Sequence, residues 1–153
     1  MKITDFLSAE GIIPDLAARD KETVLNQLAE KFATVHGMPD GHRVLEVLKE
    51  REKISTTAIG EGVAIPHGKL GAVERVRAVF ARSRAGVDFA SLDGAPTYLF
   101  FALIGPEDGA ADHLKAMARI SRLLKDAAFR ERLLKGKSGQ ELFEIIAAED
   151  EKF

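Results

Sequence analysis

Apolar residues recur at helical spacing in two stretches of the N-terminal third of the chain. The first stretch follows Asp20, a predicted N-cap, and ends at Gly37; its apolar positions are Val24, Leu25, Leu28, Ala29 and Phe32. The second follows a predicted turn at Pro39-Asp40-Gly41 and ends near Arg51, with apolar positions Val44, Leu45, Val47 and Leu48. One apolar face at this period predicts two amphipathic helices.

The middle of the chain has the pattern of strands. Residues 76–82 form a predicted strand with Val76, Ala78 and Phe80 on one face. Residues 97–104 are almost wholly apolar, which is typical of a central strand covered on both faces, and turn residues near Asp93-Gly94 predict a return between the two. Residues 52–61 are predicted as a loop and 62–65 as a short strand. Pro66 should end that strand, because proline has no N–H to pair.

Helical spacing returns after Asp112. The expected apolar stripe consists of Leu114, Met117, Ala118, Ile120, Leu123 and Leu124. Asp126 and Ser138 are predicted to cap two further helices. The order of helices, then strands, then helices predicts an α/β three-layer sandwich, in which a mixed β-sheet is flanked by helices on both faces. We expect residues 1–153 to form a single domain.

Composition narrows the functional classes. The net charge of −2 gives no general attraction for nucleic acid or an anionic membrane surface. The absence of cysteine excludes disulfides and thiolate catalysis. The sequence has neither a signal-peptide pattern nor an apolar run long enough to span a bilayer. We therefore expect a soluble cytoplasmic protein that does not bind nucleic acid or insert into a membrane.

The segment 51–68 carries the candidate chemistry. Arg51 and a series of hydroxyl residues precede His67, which lies between Pro66 and Gly68. A neutral imidazole is a nucleophile, an arginine neutralises phosphate oxygens, and hydroxyl and loop N–H groups can orient them. This combination predicts a phosphoryl acceptor site. The alternative is a structural histidine at the end of a strand.

The same segment resembles the phosphorylation-site signature of the fructose/mannitol-type (type 2) enzyme IIA domains of the bacterial phosphotransferase system. That pattern reads approximately RExxGSTGIGxGxAIPHG. The chain keeps Arg51, Glu52, Thr57, Ile59, Gly60, Gly62, Ala64, Ile65, Pro66, His67 and Gly68. It departs from the pattern at Ser55, Thr56 and Ala58, where two glycines are lost. Gly68-Lys69-Leu70 is most similar to the nitrogen-regulatory branch, IIA-Ntr.

The resemblance implies a role for several residues. His67 would accept a phosphoryl group from an HPr-like donor, with phosphoenolpyruvate as the ultimate source. His113, within Asp112-His113-Leu114, would be a second active-site histidine, although its spacing also fits a buried core position. Arg51 would neutralise phosphate, although a helix-end cation is the alternative. Supporting roles fall to Thr57, whose hydroxyl would bind phosphate or imidazole, and to Thr56, Gly60, Gly62 and Gly68.

Nucleotide and metal sites are not predicted. Gly62 to Lys69 has the character of a phosphate-binding loop, but Leu70 stands where a P-loop needs Ser or Thr for magnesium. The four histidines lack zinc-site spacing. We therefore assign no metal and no cofactor.

Two functions remain open. In the first, the phosphorylation state regulates target proteins such as ion transporters or sensor kinases. In the second, the phosphoryl group passes to a sugar-specific IIB domain for uptake. A third possibility is a binding domain of this fold whose phosphorylation site is lost. For a protein partner, the predicted docking residues around the histidine are Ile65, Gly68, Leu70 and Gly71.

Overall fold

The computed structural model describes residues 1–38 and 40–152, so Pro39 of the predicted turn lies outside the described residues. Two short 3-10 turns, Ile3–Asp5 and Ala9–Gly11, open the chain. The strands are β1 (Ile12–Ile13), β2 (Ala58–Gly60), β3 (Val63–Ala64), β4 (His67–Lys69), β5 (Arg77–Val87) and β6 (Thr97–Gly105). The helices are α1 (Lys21–Val35), α2 (Gly41–Ile54), α3 (Ala110–Leu124), α4 (Ala127–Lys135) and α5 (Gly139–Asp150).

The sheet is mixed, as predicted, and β6 is its central strand. β5 pairs with β6 in antiparallel orientation, whereas β3 and β4 pair with β6 in parallel. β1 extends the sheet in parallel beyond β5, and β2 extends it in antiparallel orientation beyond β3. The side of β6 that carries β3 and β4 is therefore built from two short strands in succession.

Helices cover both faces of this sheet, which confirms the three-layer sandwich. One core cluster lies between the sheet and α1 and α2, with Phe32 and Phe100 among its buried members. The other lies between the sheet and α3, α4 and α5. Val76, just before β5, and Ala78 and Phe80 within it all belong to the second cluster, as the alternation predicted.

Side chains cap the helices at the predicted positions. The Asp20 carboxylate accepts from Thr23 N at 2.9 Å. Asp126 accepts from two first-turn N–H groups of α4, and Ser138 Oγ accepts from Glu141 N at 3.1 Å. Each cap satisfies donors that have no partner within the helix.

β3 ends at Ala64, so Pro66 lies outside that strand as predicted, but contact with β6 does not end there. Proline lacks only the donor, and its carbonyl oxygen accepts from Leu103 N at 2.9 Å. Pairing then resumes at His67, which opens β4 opposite Leu103. The predicted loop 52–61 also contains regular structure, since α2 continues to Ile54 and β2 begins at Ala58.

The predicted apolar stripe of α3 is partly wrong. Leu114 is 67% exposed, and Ala118 is exposed as well. Leu114 lies about 100° round the helix from His113 and falls on the side that faces away from the sheet. The buried face of α3 instead consists of His113, Ala116, Ile120, Leu123 and Leu124.

Candidate active site

His67 lies at the start of β4, where α2 packs closely on the strand. A Cβ atom at Gly68 would lie 3.2 Å from Val47 Cγ2 and 3.4 Å from Val47 O. Gly68 therefore allows the last turns of α2 to approach β4. That approach brings Arg51, in the last turn of α2, beside the half-buried imidazole of His67.

The main chain fixes the tautomer of His67. Its Nδ1 lies 2.8 Å from Ile65 O. A carbonyl oxygen only accepts hydrogen bonds, so Nδ1 carries the proton and donates it. Nε2 therefore has the free electron pair, and Arg51 Nε donates to it at 3.3 Å.

The surroundings of His67 favour its neutral form. Burial lowers the pKa of His67 below 6.5, and the nearby cation of Arg51 lowers it further. The hydrogen bond to Ile65 O and the charge of Glu52 raise it, without reversing the net direction. At pH 7 the imidazole is thus a neutral nucleophile.

Arg51 is held by contacts at both ends of its guanidinium group. Besides the bond to His67, a terminal nitrogen donates to Ser55 O at 2.9 Å. Ser55 is extended, with φ −169°, and Ala58 lies in β2. Both residues replace glycines of the family pattern, and neither adopts the left-handed conformation that would favour glycine.

His113 lies next to His67. Its ring centroid is 5.8 Å from that of His67, with the ring planes tilted by 55°. The residue is 5% exposed, and its Nδ1 has no hydrogen-bond partner among the described residues. A Cβ atom at Gly105 would lie 2.5 Å from this Nδ1, so only glycine at position 105 leaves room for the ring. The alternative of a buried position is thus confirmed, and the ring also adjoins His67.

The environment of His113 keeps it neutral. Burial lowers the pKa of His113 to about 4, and the charges of His67 and Lys69 act in the same direction. A neutral imidazole always has one N–H group to donate. His113 can therefore donate a hydrogen bond beside His67 at neutral pH.

We expect His113 to make the protein less stable in acid. The unfolded chain protonates this side chain near pH 6.5, whereas the folded state resists protonation until about pH 4. The contribution of neutral His113 to the free energy of unfolding is fully present above pH 6.5 and is lost as the pH falls toward 4. Between pH 7 and 4.5 the wild type should lose about 2 kcal/mol more unfolding free energy than His113→Asn. Urea titrations of both proteins at several pH values measure the difference, and parallel pH profiles would contradict it.

The Thr57 hydroxyl, predicted to bind phosphate or imidazole, contacts Glu52 in this structure. Thr57 is 4% exposed; its hydroxyl donates to the Glu52 carboxylate, and its N–H donates to Glu52 Oε1 at 3.0 Å. Lys21 Nζ lies 2.8 Å from the same Oε1. The Thr56 hydroxyl donates to Phe89 O at 3.0 Å. Both threonines thus shape the loop before β2.

Glu52 and Lys21 were absent from the predicted set of site residues. Glu52 follows Arg51 in the matched signature, which was the available signal for it. Lys21 lies on α1, thirty-one positions earlier than Glu52, and no local pattern links the two.

Gly60 and Gly62 form the turn between β2 and β3. Their φ values are 116° and 74°, and side chains at these positions would crowd Asp93 and Tyr98 respectively. The two glycines therefore allow the turn itself. The contacts of the site described above involve neither of them.

Two of the residues predicted to dock a protein partner are buried. Ile65 is 5% exposed and Leu70 is 6% exposed, because both side chains pack into the core. Exposed apolar side chains near the site in sequence include Ile54, at 80%, Leu114, at 67%, and Ile59, at 61%. Ile54 ends the helix that carries Arg51, and Leu114 follows His113.

Two kinds of feature are absent from residues 1–38 and 40–152, a metal-binding cluster and a membrane-spanning helix. In that part of the chain, no three His, Cys, Asp or Glu residues group in a way that could hold a metal ion. Within the same ranges, the helices are too short or too polar to cross a bilayer.

Comparison with known proteins gives consistent matches over nearly the whole chain. The family model described as "Phosphoenolpyruvate-dependent sugar phosphotransferase system, EIIA 2" matches residues 5–149. A nitrogen regulatory protein of Bradyrhizobium diazoefficiens is 45% identical over 147 residues, which cover 96% of this chain and 95% of that protein. The fructose-specific EIIABC component of Bacillus subtilis is 35% identical over 98% of this chain, which spans 24% of that larger protein. The crystal structure of the nitrogen regulatory protein IIA-Ntr from Neisseria meningitidis matches with a TM-score of 0.88 at 29% identity, over 94% of this chain and 98% of that one.

Proposed function

Because the chain belongs to the EIIA 2 family of the phosphoenolpyruvate-dependent sugar phosphotransferase system, we propose that His67 Nε2 accepts a phosphoryl group from a phosphorylated HPr-like protein. Membership in the family makes the chain a phosphocarrier of this system. The observation that carries the assignment to Nε2 is the bond from Nδ1 to Ile65 O, which leaves Nε2 with its electron pair free.

The transfer step balances without an added proton or cofactor. The electron pair of Nε2 forms a bond to phosphorus while the phosphorus–nitrogen bond of the donor phosphohistidine breaks. The donor ring, protonated on its other nitrogen, takes back the electron pair of that broken bond and leaves as neutral imidazole. The His67 ring keeps its Nδ1 proton and takes up the positive charge that the donor ring loses. Since the transition state spreads charge over the phosphoryl oxygens, the protein acts mainly by positioning groups and neutralising charge.

Arg51 and His113 would position the phosphoryl group and neutralise its charge. Arg51 donates to Nε2 in the unphosphorylated state, so its guanidinium must leave this nitrogen before attack and turn to the phosphoryl oxygens. A planar guanidinium is suited to bind two such oxygens at once. His113, neutral and adjacent, would donate its N–H to a third. Thr57, Thr56, Gly60, Gly62 and Gly68 would support the site through the backbone around it.

We further propose that the phosphorylation state regulates target proteins, as in the nitrogen-regulatory branch. The relative at 45% identity is a nitrogen regulatory protein of almost the same length. A phosphoryl group adds nearly two negative charges to a protein surface. The targets would be ion transporters or sensor kinases that bind one state only, through a surface including Ile54 and Leu114. Such an interaction would be small and transient.

The alternative is transfer to a IIB domain during sugar uptake. The fructose-specific relative, 35% identical over this segment, favours that function. Both functions share the same chemistry at His67 and differ only in what receives or recognises the phosphoryl group.

Intact-mass spectrometry tests the proposal. The protein is incubated with phosphoenolpyruvate, enzyme I and either a nitrogen-type or a sugar-type HPr. We expect a single acid-labile phosphoryl adduct, formed faster with the nitrogen-type donor. The phosphorylated protein is then mixed with a fructose-type IIB domain. Retention of the adduct supports the regulatory function, its transfer supports sugar uptake, and no adduct from either donor contradicts the carrier function.

A further inference from the structure

A partly buried ion pair joins α1 to the last turn of α2, next to the residue that contacts His67. Lys21 Nζ lies 2.8 Å from Glu52 Oε1, and the Glu52 side chain is only 5% exposed. The same carboxylate accepts both the N–H and the hydroxyl of Thr57. Lys21 also lies over the Phe89 ring, 4.6 Å from its centroid. We call Lys21, Glu52 and Thr57 the Lys21 network.

The position of Lys21 is not explained by the stability of its helix. It is the first residue of α1, where the positive end of the helix dipole makes a cation unfavourable. A buried carboxylate, by contrast, is costly unless it is paired with a cation and hydrogen bonded. The contacts of Lys21 therefore point to the charge of Glu52 as the reason for a cation here.

Glu52 in turn determines the backbone path of the segment that follows it. By holding Thr57 against the last helical turn, it fixes both ends of the segment 53–56. Within this segment, Ser55 O accepts from the Arg51 guanidinium at 2.9 Å. The other end of that guanidinium reaches His67 Nε2 at 3.3 Å. One continuous series of contacts thus runs from α1 to the reactive nitrogen.

We infer that Lys21 and Glu52 are positioning residues: they hold Ser55 O and so keep the Arg51 guanidinium beside His67, where it can turn from Nε2 to the phosphoryl oxygens. The inference rests on the proposed function for its kinetic consequence. Neither residue hydrogen bonds to the imidazole, so their positioning effect reaches it through Arg51, besides the direct effect of the Glu52 charge on the pKa of His67. Loss of the Lys21 charge should release the loop and let Arg51 adopt other orientations.

Lys21→Met tests the inference, with Lys49→Met as the matched control. Lys49 Nζ lies 3.3 Å from Glu22 Oε1 and so pairs the same two helices. That pair is exposed on both sides, with side-chain exposures of 41% and 72%, and it does not contact Glu52. Lys49→Met therefore removes an ion pair between α1 and α2 without disturbing the Lys21 network. Lys21→Arg restores the cation and should rescue Lys21→Met.

The first measurement is the Arg51 Nε–H signal in nitrogen–proton correlation spectra, because this proton is donated to His67. We expect the signal to move toward the position of a free guanidinium in Lys21→Met, and to stay unchanged in Lys49→Met and Lys21→Arg.

The second measurement is single-turnover phosphorylation at varied donor concentration. The limiting rate should fall about tenfold in Lys21→Met, because an Arg51 guanidinium in other orientations stabilises the transition state less well. The half-saturating donor concentration should not change.

Either of two results would overturn the inference: an unmoved Arg51 signal in Lys21→Met, or the same shift in Lys49→Met. Thermal unfolding of each variant ensures that the spectra and rates are compared on folded protein. If the wild type accepts no phosphoryl group, the proposed function fails, and the Arg51 signal alone still decides the positioning role.

Discussion

His67→Ala should abolish phosphorylation of this protein. The variant lacks the one imidazole whose Nε2 electron pair is left free by the main chain and faces Arg51. His113 should not substitute for it, because that ring is 5% exposed and lies on the core face of α3. Intact-mass spectrometry after incubation with phosphoenolpyruvate, enzyme I and an HPr-type donor should show no adduct.

The matched control for this variant is His42→Ala. His42 lies on the outer face of α2, where its side chain is 78% exposed and pairs with Glu46. The His42→Ala variant should accept the phosphoryl group at the wild-type rate. That result would show that removing a histidine elsewhere has no effect on phosphorylation. An acid-labile adduct on His67→Ala would contradict the assignment and direct attention to His113.

Arg51→Met should slow phosphoryl acceptance by about a hundredfold, the usual effect of removing one group that stabilises transition-state charge. Arg51 is the cation that contacts the reactive nitrogen directly, and a neutral side chain cannot offset charge on the phosphoryl oxygens. Stopped or quenched single-turnover reactions at saturating donor measure the limiting rate. Arg51→Lys should recover only part of the loss, because lysine keeps the charge but not the planar fork.

Arg43→Met is the control for charge on the same helix. Arg43 lies near the start of α2 and pairs with Glu46 at 2.9 Å on the exposed face. If Arg43→Met slows the reaction as much as Arg51→Met does, the effect comes from general attraction between the two proteins rather than from contact with phosphate.

The layers of the fold could be predicted because their signals are local. The spacing of apolar residues in α1 and α2, and the unbroken apolar run of β6, depend only on neighbours in sequence. The errors arose where tertiary packing decides the outcome. The sequence around Leu114 contains apolar residues on either side of the true buried face, and only contact with the sheet selects His113 rather than Leu114. Likewise, β4 exists because β6 provides carbonyl and N–H partners beyond Pro66.

The candidate site was predictable to a similar degree. His67, His113 and Arg51 were identified from the signature and a second short match, and the fold brings their side chains together. The bond from Thr57 to Glu52 could not be predicted, because the sequence does not show which acceptor a hydroxyl group reaches. Lys21 could not be found, since its contact with Glu52 depends on how α1 packs against α2.

The hydrogen bond from His67 Nδ1 to Ile65 O also bears on how this site can change during evolution. The acceptor is a peptide carbonyl two residues earlier in the chain, and every amino acid at position 65 supplies the same oxygen. A mutational scan should therefore find no side chain whose replacement moves the proton from one ring nitrogen to the other. Point mutations can make the carrier slower or redirect it to a new partner. To change which nitrogen carries the phosphoryl group, evolution would have to alter the path of the backbone at Pro66.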